Sequence, residues 1–170
     1  MAFDPPTIAR TVHVLAATLW VGGAVLMAFV LGPSLRIAGP AAGPFMMTVL
    51  RRGGLSPYFL SLGGVTILAG GYVYGDFGYG EDPFGSGSNA VITIGAIVAL
   101  VAYIHGLAIL MPNERKMKKL VRSMSPGAPP TAAQAAEMQQ RAKKQGMQSA
   151  LSALLLVFAL IMMVLVRPFV

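Results

Sequence analysis

The chain has 170 residues, of which 55% are hydrophobic and 11% are charged, with a mean hydropathy of +0.68 and a net charge of +7. This composition is too apolar for a soluble globular protein of this length, so the sequence predicts an integral membrane protein. The sequence contains no cysteine, which excludes disulfides, iron–sulfur clusters and thiolate metal sites.

Four long apolar segments set the predicted architecture. They cover residues of about 8–34, 55–75, 88–112 and 147–167, and each is close to the roughly 20 residues that a helix needs to cross the hydrocarbon. The expected fold is therefore a single all-α domain over residues 1–170, a bundle of four transmembrane helices. The first segment is interpreted as a retained helix and not as a signal peptide, because it is longer than a signal core and carries Trp20 in its middle.

The charges are distributed unevenly among the three connections between these segments. The first connection carries three arginines, the third carries eight basic residues against two glutamates, and the second is purely acidic. The positive-inside rule then places the two basic connections in the cytoplasm and both termini outside, in a bacterial-type cytoplasmic (inner) membrane. The basic pI of 10.2 indicates membrane lipid as a partner and not nucleic acid.

Local patterns define where the helices begin and what lies between them. Asp4 followed by two prolines predicts the start of the first helix. The third helix is expected to continue past Pro112, and Thr131 opens a run of high helix propensity that leads into the fourth span. Residues 113–146 are thus predicted to form a basic cytoplasmic hairpin of two helices, separated by a break at about 125–130. This hairpin is either a docking surface or only a connection between two spans.

Two further segments have a defined expectation. The second span contains five glycines, which would let a neighbouring helix approach its backbone closely. An apolar patch from Phe45 to Leu50, within a connection rich in Gly, Pro and Ala, is expected along the membrane interface.

His13 and Trp20 belong to the most specific motif of the first span. His13, Ala17, Trp20 and Ala24 share one helix face, where small residues leave room beside the imidazole for a flat ligand. A neutral imidazole is a good ligand for heme iron or copper, and Arg10, one turn earlier, could pair with a propionate or a lipid phosphate. The pattern is equally compatible with a histidine hydrogen-bonded to a neighbouring carbonyl.

His105, in the third span, is the second candidate metal ligand. An ionisable side chain within an apolar span suggests a functional site, while the alternative is a packing histidine bonded to Ser or Thr of another helix. Measured along the spans, His13 and His105 differ in depth by roughly 20 Å at 1.5 Å per residue. This separation argues against one heme held by both histidines.

Other chemistry has little support in the sequence. The eleven methionines include Met27, Met111 and the pair Met46–Met47, and thioether sulfur suits Cu(I), although scattered methionine is typical of flexible packing. No nucleophile–base pair, paired intramembrane carboxylates, phosphate-binding loop or nucleic-acid motif is evident.

The first span resembles the opening of the CopD-like membrane superfamily, which includes CopD-type copper-resistance proteins and HemJ-type protoporphyrinogen oxidases. The residues that carry the resemblance are His13, Trp20 and Gly22–Gly23, with Tyr103-Ile104-His105 and the C-terminal Val164–Phe169 as further matches. The resemblance implies a four-helix membrane fold with His13 as a heme ligand. Thr93–Ile97 lacks the lysine that HemJ-type enzymes carry there, which weighs against protoporphyrinogen oxidation.

These observations lead to three hypotheses. The first is a small heme-b-binding membrane protein with a redox or electron-transfer role, alone, as a homo-oligomer or within a larger respiratory complex. In it His13 is the principal axial ligand, Arg10 a propionate partner, Trp20 a pocket wall, and His105 either a ligand to a second heme or part of a proton or quinone path. The second is a copper-handling protein that uses His and Met, and the third is a non-catalytic accessory subunit. The sequence does not decide whether the protein is an enzyme.

Overall fold

A computed structural model describes residues 4–124 and 130–166 of the chain, and every regular element in these ranges is helical. The elements are α1 (Pro5–Val25), a first π-helical segment (Leu26–Leu31), α2 (Gly32–Ala38), a 3-10 helix (Gly39–Ala42), α3 (Gly43–Arg51), α4 (Ser56–Asp76), α5 (Gly87–His105), a second π-helical segment (Gly106–Leu110), α6 (Met111–Arg122) and α7 (Ala132–Leu165). Most of the predicted break at 125–130 and the end of the C-terminal match, from Arg167 onward, lie outside the described residues.

Three continuous helical stretches in the described ranges are long and apolar enough to cross a membrane, namely Pro5–Ala38, Gly87–Arg122 and Ala132–Leu165. The protein is therefore all-helical, with the helices of a multi-pass membrane protein. α4 corresponds to the remaining predicted span and has 21 residues. It is not one of the three stretches named above.

The stretches Pro5–Ala38 and Gly87–Arg122 share one feature, a π-helical segment that ends two residues before a proline. The first π segment precedes Gly32–Pro33, and the second precedes Met111–Pro112. A proline inside an α-helix removes one hydrogen bond and clashes with the carbonyl four residues earlier, and a wider turn accommodates both problems. The third helix therefore continues past Pro112 as predicted, and the first continues to Ala38, beyond its predicted end.

α6 and the first half of α7 form the helical extension that the sequence predicts. α7 begins with a capping box, in which Thr131 and Gln134 each bond the other's backbone N–H. The Asn113 side-chain amide donates to Gln145 Oε1 at 2.7 Å and to the Arg141 carbonyl at 3.1 Å. These bonds fix α6 against α7.

Neighbouring long helices run in opposite directions. On α4, Gly70 lies against His13 and Gly63 against Trp20, so α1 and α4 are antiparallel. The Tyr103 ring also lies on Gly63, while Tyr74 is bonded to Thr93 Oγ1, so α4 and α5 are antiparallel as well. The close approach predicted from the glycines of the second span is therefore confirmed at these two positions.

The hydrophobic core is built from small residues around one large aromatic side chain. Trp20 is 5% exposed and meets the Tyr103 ring edge-on at a centroid distance of 5.9 Å, an arrangement that contributes about 1 kcal/mol beyond its buried area. A second cluster joins α3 to α6 through Leu50, Met117 and Val121. The apolar patch predicted at Phe45 to Leu50 therefore packs, through Leu50, on another helix.

The contact at Gly63 gives a first testable prediction. A Cβ at this position would lie 2.7 Å from Tyr103 Cδ2 and 3.0 Å from Trp20 Cε2, so Gly63→Ala must displace a buried ring. We expect a loss of about 2 kcal/mol of stability, measured as the thermal unfolding of the detergent-solubilised protein by circular dichroism. Gly75→Ala on the same helix is the control, because a Cβ there meets no atom within 4 Å. Equal unfolding temperatures for the two variants would contradict the prediction.

Candidate functional site

His13 is held against the backbone of α4. Its ring lies on Gly70, where a Cβ would come within 2.6 Å of the imidazole Cε1, and its Nδ1 is 2.8 Å from the carbonyl oxygen of Thr66. Since a carbonyl oxygen can only accept a hydrogen bond, Nδ1 carries the proton and donates it. In the neutral ring the lone pair is then on Nε2.

The Nε2 atom of His13 makes no hydrogen bond within residues 4–124 and 130–166. The side chain is only partly buried. Histidines that bind metals donate their other ring N–H to a carbonyl or carboxylate, which fixes the tautomer and the ring orientation. The ring of His13 therefore has the orientation and tautomer of a ligand, and it also makes the carbonyl bond that the packing interpretation requires.

His105 has a different environment, in which both ring nitrogens are bonded to α7. Its Nδ1 is 2.8 Å from Ser152 Oγ, and its Nε2 is 2.7 Å from Gln148 Oε1. The Gln148 amide oxygen can only accept, so Nε2–H donates a hydrogen bond to it, and Nδ1 then accepts one from the Ser152 hydroxyl. Because no lone pair of His105 remains available in this arrangement, the geometry favours a helix-joining role over coordination.

The two histidines are not brought together. His13 contacts α4, whereas His105 contacts α7. Trp20 and Tyr103 pack together and mark a common level on the two parallel helices α1 and α5. Counting from this level at 1.5 Å per residue, His13 and His105 differ in depth by about 13 Å. One iron therefore cannot be bound by both imidazoles in this arrangement.

The remaining predicted site residues lie on α1 at different distances from His13. Arg10 is exposed one turn before it, where a guanidinium could reach an anionic group of a ligand bound at Nε2. Trp20 is about 10 Å further along the helix and lines an internal cavity that His13 does not line. Trp20 therefore lines a pocket, but this pocket is separate from the surroundings of His13.

This internal cavity has a volume of about 150 Å³ and extends from Trp20 toward the C-terminal end of α1. Residues of α3, α4, α5, α6 and α7 form the rest of its wall. Most of its lining is apolar, with Phe59 and Tyr103 near Trp20. Four methionines from three separate helical segments also line it: Met27, Met46, Met111 and Met117. The cavity therefore combines aromatic and thioether groups, and one carboxylate lies at its edge.

That carboxylate belongs to Glu114, whose role sequence reasoning missed. Glu114 is buried with a side-chain exposure of 8%, and it forms a 2.8 Å ion pair with Lys118. Its oxygens accept hydrogen bonds from the backbone N–H groups of Leu55 and Ser56 at 3.1 to 3.3 Å. Glu114 thus supplies the cap for the start of α4, where the local residues make no side-chain cap.

Gly53 and Gly54 make this cap possible. Both have positive φ, and a Cβ on Gly54 would overlap the Glu114 carboxylate. The Lys118 ammonium donates in turn to the Gly53 carbonyl. The signal in the sequence is a glutamate four residues before a lysine, within an otherwise basic segment and two residues after Pro112. Its backbone partners, however, lie almost 60 residues away.

Within the part of the chain that the structure describes, no three His, Asp or Glu side chains gather as they would around a metal ion. The candidate site is therefore built around one imidazole with an exposed arginine one turn away. Comparisons of the chain with protein-family models, with curated proteins and with solved structures find no match.

Proposed function

We propose that this chain is a multi-pass protein of a bacterial-type cytoplasmic (inner) membrane that binds heme b through His13 and takes part in electron transfer. In this proposal α4 is a fourth span, both termini are outside, and the α6–α7 extension is cytoplasmic. Membrane lipid surrounds the spans, and the redox partner is a larger membrane complex or a second copy of the chain.

The contacts of α4 support its assignment as a fourth span. It has the same 21-residue length as α1, which corresponds to about 32 Å of helix and matches the thickness of the hydrocarbon. α4 packs along α1 from Gly63 at Trp20 to Gly70 at His13. A helix that runs antiparallel to a spanning helix over this length shares its environment.

The single observation that carries the heme proposal is the hydrogen bond from His13 Nδ1 to the Thr66 carbonyl. It leaves the lone pair on Nε2, which is the donor atom that ferrous or ferric heme iron accepts. The bond also prevents rotation of the ring, because Gly70 supports one side of it. His13 would therefore hold heme iron through Nε2 without having to reorient its ring.

The other residues of α1 contribute to binding rather than to chemistry. In this proposal Arg10, which is exposed one turn before His13, pairs with a propionate at the outer interface through its guanidinium N–H groups. Ala17, one turn after His13 on the same helix face and only partly buried, leaves room for the porphyrin beside the imidazole. When bound, heme b supplies one-electron redox chemistry.

A second candidate, copper handling, is favoured by the four methionines on the wall of the internal cavity. Thioether sulfur is a soft ligand that selects Cu(I) over harder cations. In this alternative, Met27, Met46, Met111 and Met117 hold the ion, and His13 is not required. The two proposals therefore involve different residues.

The visible spectrum of the detergent-purified protein, combined with metal analysis, distinguishes these functions. A red protein with a Soret band supports the heme proposal. A colourless protein with stoichiometric copper contradicts it in favour of copper handling. A colourless, metal-free protein that co-purifies with a larger complex would instead indicate an accessory subunit.

The orientation of His13 can be tested without removing it. Gly70→Ala places a methyl group 2.6 Å from the imidazole Cε1 and 2.7 Å from Nδ1, so the ring must leave the Thr66 carbonyl. We expect heme affinity to fall about ten-fold, the size of effect typical of groups that orient a metal ligand, measured by heme titration of the apoprotein.

Gly71→Ala is the matched control, because a Cβ at this neighbouring glycine of the same helix would meet no atom within 4 Å. We expect wild-type affinity for this variant. Equal affinities for both variants would contradict the role assigned to the Thr66 bond.

A further inference from the structure

A second pocket lies between the end of the second π segment, α6 and α7. This groove has a volume of about 320 Å³. Ala108, Ile109 and Pro112 form its apolar wall, and Lys116, Arg141 and Lys144 supply three cations from two different helices. The groove is therefore amphiphilic, with an apolar part toward the long apolar helix and a basic part beyond it.

The charge in this groove is only partly neutralised. In the described ranges the ion pairs are Glu114–Lys118 and Glu137–Arg141, so Lys116 and Lys144 have no carboxylate within 4 Å there. Arg141 Nε and Nη2 both donate to Glu137 Oε1. Because a guanidinium has five N–H donors, Arg141 retains donors for another anion, and the groove keeps an excess of positive charge.

The position of the groove determines which anion fits. It lies where α5 and its π segment, which are apolar, pass into the strongly basic α6. If this side is cytoplasmic, as the positive-inside rule indicates, the groove lies at the depth of the lipid headgroups, in the leaflet that carries anionic lipid. A free phosphate would gain nothing from Ala108, Ile109 and Pro112, whereas a phospholipid can place an acyl chain there.

We propose that this groove binds one anionic phospholipid, with its phosphate held by Lys116, Arg141 and Lys144 and its acyl chain along Ala108 and Ile109. The proposal does not depend on the heme site, which involves other residues of α1 and α4. Its function is to anchor the α6–α7 extension to the membrane surface, so that the extension lies at a fixed height.

Lipid retention measured by native mass spectrometry tests the proposal. The full-length protein is released from nanodiscs that contain phosphatidylglycerol and phosphatidylcholine, and bound lipid is counted for the wild type and for the double variant Lys116→Gln/Lys144→Gln. We expect wild-type protein to retain phosphatidylglycerol selectively. Loss of two headgroup-level charges should weaken this retention about 30-fold.

The matched control is Lys119→Gln/Lys143→Gln, which removes the same charge from α6 and α7 at exposed positions that do not line the groove. We expect less than about a two-fold change for it, since only screened long-range attraction is lost. Glu137→Gln should tighten retention, because it releases Arg141 from its competing carboxylate.

Two outcomes would overturn the proposal. Equal loss in the groove variant and the control variant would show that total charge, and not this groove, attracts the lipid. Displacement of phosphatidylglycerol by millimolar inorganic phosphate would show that the groove recognises a free anion without any acyl chain.

Discussion

Replacing His13 with alanine is expected to remove the Soret band of the purified protein. Nε2 of His13 is the only donor atom that the proposal offers to the iron, so its loss should reduce heme affinity by more than about 100-fold, beyond the effect of losing an orienting partner. The measurement is the absorbance ratio of the Soret band to the protein band after purification in detergent with added heme.

His105→Ala is the informative comparison for this experiment. His105 bonds Ser152 and Gln148 with both ring nitrogens, so its removal should leave the Soret band and instead lower stability by about 1 kcal/mol, the cost of two interhelical hydrogen bonds in a membrane protein. A wild-type Soret band in His13→Ala, or its loss in His105→Ala alone, would mean that the ligand has been assigned to the wrong histidine.

Replacing Glu114 with alanine is expected to have the largest effect on stability. It removes the cap of α4 and leaves Lys118, whose side chain is 17% exposed, without its 2.8 Å partner. Breaking a buried ion pair from one side costs about 3 kcal/mol, because the remaining charge stays desolvated. The thermal unfolding midpoint in detergent, followed by circular dichroism, measures this loss.

The chain contains its own control for this prediction. Glu137 and Arg141 form an ion pair with the same four-residue spacing, but the Glu137 side chain is 46% exposed, so Glu137→Ala should change stability by less than about 1 kcal/mol. The double variant Glu114→Gln/Lys118→Met should recover part of the loss, since no unpaired charge remains. Equal destabilisation by Glu114→Ala and Glu137→Ala would show that burial of the Glu114 pair has no energetic consequence.

Much of the helical framework could be predicted from local sequence. The start at Pro5, the passage through Pro112 and the start after Thr131 depend on capping, proline geometry and apolar periodicity, all of which act over a few residues. The extent of α2 and the two π segments could not be predicted in the same way. Their geometry depends on how each helix accommodates its proline while packed against its neighbours.

For the candidate site, the sequence predicted which side chains could be ligands but not which partners they contact. An imidazole within an apolar span indicated a ligand or a packing residue at both His13 and His105, but the choice depends on partners more than 40 residues away. Thr66 and Gly70 fix the orientation of the His13 ring, whereas Ser152 and Gln148 form hydrogen bonds with both ring nitrogens of His105. Glu114 was missed for the same reason, because its bonds to the start of α4 have no local signature.

The widened π-helical turn at Gly106–Leu110 lets the continuous helix from α5 to α6 pack against two different sets of neighbouring helices. A single additional residue in a turn rotates everything beyond it by about 100°. Above this point α5 packs mainly on α7, and below it α6 also reaches α3, with Glu114 directed at the backbone of Leu55 and Ser56. A helix without this widened turn would point that carboxylate in another direction, so the direction in which α6 faces is set by a local change of helical pitch.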